Sequence, residues 1–221
     1  MIRKREVAKR IFAYELVRST HQIEDSGLKY VLTPTGERAN RIFSVAVLLD
    51  KEEIGADTNL WRLRLADPTG SFYAYVGKYQ PDAIEIVADI DVPELIAVVG
   101  KIRVFEGISR KLVSVRPENI AVVDIPVRDF WVIETAKKTL ERIKAMEKDR
   151  GEDAKLAKQI YNPDLNEYKE IVRKALETVK EDFKIVKEIE KVEVEEEEKF
   201  EFAGFEFEEE DFDLSDLFEE E

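Results

Sequence analysis

Apolar positions change their period three times along this chain. From Arg3 to Arg18, Val7, Ile11, Phe12 and Leu16 recur at spacings of three and four, which predicts a first helix. Residues 19–40 contain Ser26, Gly27, Pro34 and Gly36 and read as a connection, with one short extended segment at Lys29 to Leu32. Between Arg41 and Asp124 the period falls to two. Phe43 to Leu49 makes a first strand, buried on much of both faces. Leu60 to Ala66 makes a second, with Leu63 and Leu65 set against Arg62 and Arg64. Asp67, Pro68, Thr69 and Gly70 supply a compact turn, and Ser71 to Val76 returns antiparallel. A crossing at Pro81 to Asp91, helical or loop, leads to a fourth strand at Leu95 to Phe105. In that strand Gly100 interrupts large side chains and suits a bulge. Lys111 to Arg116 begins a fifth strand, with Ile120 to Val123 as its continuation or a separate short strand.

Beyond Pro126 the period returns to that of a helix. Phe130, Ile133, Thr139, Leu140, Ile143 and Met146 form an apolar stripe over 126–147. Such a helix either lies against its own domain or pairs with helices of other chains. Ala154 to Tyr161 and Tyr168 to Val179 make a helical pair within 150–182, joined at Asn162 and Pro163. At Ile185 to Val194 the period shortens again, to a last strand or an extended linker. The predicted fold is mainly β with helical extensions. A five-stranded barrel at 41–124 is preceded by a helix and connection at 1–40, and followed by a long helix, a helical pair and an acidic tail at 183–221. A split sheet in an α+β domain is the competing fold.

Charge sharpens this division. The net charge of -14 sits in Phe183 to Glu221, where 18 acids face four lysines; the rest of the chain holds 31 acids and 31 bases. A segment this charged is expected to be largely disordered. Phe212, Leu214, Leu217 and Phe218 nevertheless lie among its acids, so recruitment of a partner stands beside plain solvation as its role. With no cysteine and a single histidine, His21, thiolate zinc sites and serine-type triads are excluded. No Gly-rich phosphate loop occurs, and the acidic patches at Asp50, Glu52 and Glu53 and at Asp89 and Asp91 lack a partnered base; neither catalysis nor a cofactor is expected. No apolar run is long enough to span a bilayer and the start lacks a secretory core, so a cytoplasmic location with no membrane partner is expected.

Candidate chemistry lies on the strands. Arg62 and Arg64 share one face of the second strand, and Tyr73 and Tyr75 one face of the third. Lys101, Arg103 and Phe105 share one face of the fourth, with Trp61 at a neighbouring edge. Cations for phosphates beside flat rings for unpaired bases are what single-stranded nucleic acid requires. Individual rings are as readily core residues of a small barrel. Residues 41–124 hold ten bases against 13 acids, so any positive groove is local.

WRLRLADPTGSFYAYV, then LIAVVGKIRVFEGISRKLVSVRPENIAVVD, then VRDFWVIETAKKTLERI resembles the barrel and exit helix of the middle and small subunits of replication protein A, most closely the archaeal form. The D-x-T-G turn at Asp67 to Gly70, the V-V-G-x-[IL]-R piece at Val98 to Arg103 and the following helix occur in order. The resemblance implies an oligonucleotide/oligosaccharide-binding (OB) barrel in a noncatalytic subunit of a heterotrimer that coats single-stranded DNA in replication, repair and recombination. It marks Trp61, Arg62, Arg64, Tyr73, Tyr75, Lys101, Arg103 and Phe105 as DNA-surface residues, and Phe130, Ile133, Leu140 and Ile143 as contacts to sister subunits. Two departures stand out. The cysteine zinc motif of large subunits is absent, and a helical pair with an acidic tail replaces the winged-helix domain of middle subunits. The tail, with Phe212, Leu214, Leu217 and Phe218 as anchors, is then expected to dock replication or repair proteins. The alternative reading is a structural adaptor whose barrel serves protein contacts.

Overall fold

The computed structural model describes the backbone of residues 6–54, 60–108 and 110–203, and side chains as far as Ile185. The chain divides into two units, Met1–Val179 and Lys180–Glu221. In the first, five strands close into a barrel: β4 (Arg41–Glu53), β5 (Trp61–Asp67), β6 (Gly70–Val76), β7 (Glu94–Glu106) and β8 (Lys111–Val122), in the order β4-β5-β6-β8-β7. All neighbours are antiparallel except β6 and β8. This is the mixed five-stranded barrel expected from the strand count, with β8 a single continuous strand. The crossing between β6 and β7 is helix α2 (Pro81–Asp89), which buries Ala83 and Val87.

Alternation sets the two faces of the barrel wall. Leu63, Leu65, Phe72, Ala74 and Val76 point inward and join Ile42, Ile96, Val98 and Val115 in one core. Their neighbours in sequence point out. The Asp67 turn is held from within: Asp67 Oδ1 accepts from the Thr69 amide at 2.7 Å and the Thr69 hydroxyl at 2.6 Å. Opposite Gly100 the register of β7 and β8 shifts, and a Cβ at Gly100 would lie 2.6 Å from the Arg116 carbonyl oxygen. Only glycine allows β8 to pass that closely, so the predicted bulge has a steric cause.

The N-terminal segment departs from expectation. Among its described residues helix forms only at α1 (Ala13–Leu16), whereas Lys9 lies extended beside β4, donating to the Arg41 carbonyl and accepting from the Phe43 amide, both at 2.9 Å. The pairing of β5 with β4 begins only at Val47, so the start of β4 has an open edge there. Backbone pairing at that edge outweighs the helical tendency of residues 6–12, since unpaired buried amides are costly. Residues 19–40 also hold more than a connection. They form a three-stranded antiparallel sheet: β1 (His21–Asp25), β2 (Leu28–Leu32) and β3 (Arg38–Ala39). Ser26 and Gly27, both at positive φ, make the two-residue turn between β1 and β2.

Helix α3 (Ile125–Glu147) opens with Asp124 accepting from the Val127 amide and Pro126 in its first turn. Its inward face carries Trp131, Val132, Ala136 and Ile143. The Trp131 indole donates to the Phe43 carbonyl at 2.8 Å and meets the Phe12 ring edge-on at 5.5 Å, tying the helix to β4 and to the N-terminal segment. Arg142 closes a second tie, donating to Glu15 at 2.8 Å beside Glu37. Helix α4 (Glu152–Tyr161) ends at Asn162, whose left-handed backbone stops it, and α5 runs from Leu165 to Ala203. The extended reading of Ile185 to Val194 is therefore corrected: Ile185, Ile189 and Val192 also recur at helical spacing, and Glu and Lys around them favour helix. Phe212, Leu214, Leu217 and Phe218 lie outside the described residues.

Candidate nucleic-acid interface

Barrel closure lines up an outer row from strands that are distant in sequence. Arg64 on β5 stands opposite Tyr73 on β6, Tyr73 opposite Ser114 on β8, and Ser114 opposite Arg103 on β7. Tyr73 is 45% exposed, and Arg64 and Arg103 are both exposed, with the small Ser114 between the ring and Arg103. One step along, Arg62 lies opposite Tyr75, and Lys101 opposite Arg116. The Arg62 guanidinium sits 5.8 Å from the centre of the Tyr73 ring, a cation–π distance. At the far end of β7, Phe105, 54% exposed, pairs across the hairpin with exposed Leu112.

The cations differ in how free they are. Arg62 is ion-paired to Glu52 across β4 and β5. Arg64, Lys101, Arg103 and Arg116 make no ion pair among the described residues. The Arg103 guanidinium is held below its usual pKa by burial and by the neighbouring Arg116 charge, and remains a cation at neutral pH. These two like charges are kept close and are offset only in part by Glu118, which is itself paired with Arg41, and phosphate would relieve them.

Of the eight surface residues expected, Arg62, Arg64, Tyr73, Tyr75, Lys101, Arg103 and Phe105 stand on the outer parity of their strands, Arg62, Tyr75 and Lys101 half-buried. Trp61 does not share that face. It shares the inward parity of Leu63 and Leu65, packs against the core, and has the Lys51 ammonium 5.7 Å from its ring. Arg116 belongs with Lys101 and Arg103, and Lys29 and Tyr30 of β2 were missed. Ser26-Gly27 between alternating residues was the hairpin signal that could have found the last two.

The helix residues separate in the same way. Ile143 is fully buried in this chain and so is not free to meet a sister subunit, whereas Leu140, half-buried, packs on the cluster around Trp131 and keeps part of its surface open. For Ile143 the expectation is corrected: it is buried on α3 together with Trp131, whose indole donates to the Phe43 carbonyl. Phe130, at 62%, and Ile133 remain exposed, near exposed Val122 and Ile125 in sequence. Among the described residues no group of three His, Cys, Asp or Glu side chains is placed to hold a metal ion, and no helix is long and apolar enough to cross a membrane.

No family model and no curated protein matches the chain. Among solved structures it is similar to a chain of a replication protein A heterotrimer bound to ssDNA, with 14% identity over 62% of this chain and 98% of that one and a TM-score of 0.45. It is likewise similar to a chain of the S. pombe Stn1-Ten1 complex, at 13% identity over 70% and 98%, TM-score 0.45. A third is the second single-stranded DNA-binding protein of Mycobacterium smegmatis, at 16% identity over 38% and 86%, TM-score 0.33. At such identities and scores the likeness says nothing of what this chain binds.

Proposed function

We propose that the chain binds single-stranded DNA across the outer face of β5, β6, β8 and β7, as a noncatalytic subunit of a replication protein A-like complex acting in replication, repair and recombination. The observation that carries this reading is the row Arg64, Tyr73, Ser114 and Arg103, in which unpaired cations flank an exposed ring on four neighbouring strands. Phosphates meet the guanidinium groups, and an unstacked base lies on Tyr73 or Phe105; a duplex offers its phosphates but not its base faces. Titration of the full chain with a labelled mixed-sequence single strand, and with the duplex of equal length, tests it. Preference for the single strand, lost in an Arg64→Ala, Tyr73→Ala variant, is expected. Equal affinity for the duplex would sink the reading.

A second reading has its own observation. Phe130 and Ile133 expose apolar surface on α3, as a contact to another protein requires. In the subunit reading this is where sister subunits pack. In the adaptor reading it is the main function, and the barrel face is idle. The acidic tail at 183–221 then recruits replication or repair proteins in a cytoplasmic complex.

A further inference from the structure

The sheet that precedes the barrel makes a groove with it. Between β2 and β7 lies a space of about 440 Å3 lined by Lys29 and Tyr30 from one side and Lys101 and Arg103 from the other, with Asn40 and Gln22 also facing it. That volume is in the range of clefts that enclose small ligands, roughly 300–1,000 Å3. Asn40 links the two walls: its Nδ2 donates to the Lys29 carbonyl at 2.6 Å, and its own carbonyl accepts from the Ile102 amide at 3.1 Å. The groove is therefore preformed.

Its charge has one sign. Among the described residues no carboxylate lines it. Of the acids nearby, Glu6 accepts from the Tyr30 phenol, Asp25 is paired with Arg38, and Glu118 with Arg41; Glu24 lies across from Lys29 in the β1–β2 ladder. Burial and the bond to Glu6 raise the Tyr30 phenol, so the ring stays neutral. Arg103 belongs both to the groove and to the end of the four-strand row. A strand leaving Tyr73 past Ser114 reaches Arg103 and meets the groove there.

The geometry points to a second subsite for the same single strand, in which Lys29, Lys101 and Arg103 hold backbone phosphate and Tyr30 receives a base or sugar. This inference rests on the DNA-binding reading and extends the bound length beyond the barrel onto the N-terminal sheet. The test uses the full chain and oligothymidylates of increasing length, with wild type compared with Lys29→Ala, Tyr30→Ala. Short oligonucleotides that the barrel face alone accommodates should bind both proteins equally. For longer ones the variant should be weaker by roughly ten-fold, with a smaller salt slope by about 0.7 for the lost cation. Lys29→Gln, whose exposed position tolerates the change, should reproduce the smaller slope if the double variant folds poorly. Equal affinity and slope at every length would overturn the subsite while leaving the barrel reading intact. No binding by wild type at any length would overturn both. Loss of a polyglutamate peptide with unchanged oligonucleotide binding would reassign the groove to a protein partner.

Discussion

Arg62 and Arg64 sit two residues apart on one face of β5, and the structure predicts opposite behaviour for them. Arg62 is already neutralised by Glu52, whereas Arg64 and Arg103 have no ion pair among the described residues. A cation that takes up a phosphate of a single strand releases counterions, and each such contact contributes about 0.7 to the slope of log K against log salt. Replacing Arg64 and Arg103 together by alanine should therefore flatten the slope by about 1.4. Between 50 and 200 mM salt that is a difference of roughly seven-fold in how far affinity falls. Replacing Glu52 and Arg62 together removes a pair with no net charge and should leave the slope unchanged. Fluorescence anisotropy of a labelled oligothymidylate across a potassium chloride series measures both. An unchanged slope in Arg64→Ala, Arg103→Ala, or an equal loss in Glu52→Ala, Arg62→Ala, would refute the assignment of free and engaged cations.

Three further outcomes follow from the geometry. Gly100→Ala places a methyl 2.6 Å from the Arg116 carbonyl and 2.7 Å from Val115 Cγ1, both in the barrel wall. It should destabilise by about 1–3 kcal/mol and lower the melting temperature by roughly 3–10 °C; an unchanged melt in calorimetry would show that the strand can move aside. Burial raises the Asp67 carboxyl to about 6 against the pull of four hydrogen bonds, so the folded chain holds that proton more tightly than the unfolded one. Ionisation then costs stability above about pH 6, and the cost is relieved as pH falls toward 4. Measured against Asp67→Asn in urea, wild type should gain up to about 3 kcal/mol between pH 7 and 4, a ceiling because the residue as a whole is only half-buried. A difference flat with pH would mean that the hydrogen bonds prevail. On α3, Ile143→Asp should unfold the chain, since it buries an unpaired charge, whereas Phe130→Asp with Ile133→Asp should leave the melt within about 1 kcal/mol and abolish any assembly seen by light scattering. Intact assembly in the second variant would remove that face from the interface.

Local chemistry was enough to read much of the barrel from the sequence. Alternation of Leu63 and Leu65 with Arg62 and Arg64 shows which side of β5 is wet. The Asp67–Gly70 turn that joins β5 to β6 is legible in its own residues, although the Ala13 and Tyr14 amides also hold it by donating to Asp67 and Thr69, and Gly100 marks a place in β7 where a side chain cannot fit. The helical period after Pro126 likewise survives folding. The alternation and the turn chemistry depend on neighbours a few residues away, which the sequence shows directly, whereas the close approach at Gly100 comes from Arg116 and Val115 on β8.

Tertiary structure decided the rest. Arg64, Tyr73, Ser114 and Arg103 meet only because β6 and β8 pair in parallel when the barrel closes, and no local period records that register. The open edge at the start of β4 took the N-terminal segment out of its predicted helix, because a backbone partner there outweighs side-chain spacing. The choice of inward face on α3 was settled by the Trp131 indole reaching the Phe43 carbonyl, which turned Ile143 into the chain's own core and left Phe130 outside. Lys29 and Tyr30 line the same groove as Lys101 and Arg103 where Asn40 joins the first sheet to the barrel, a juxtaposition no local period records. The sequence of this chain thus determined the strands of its barrel and the turn between β5 and β6; which cations share a face, and which are free, depended on contacts between segments far apart in sequence.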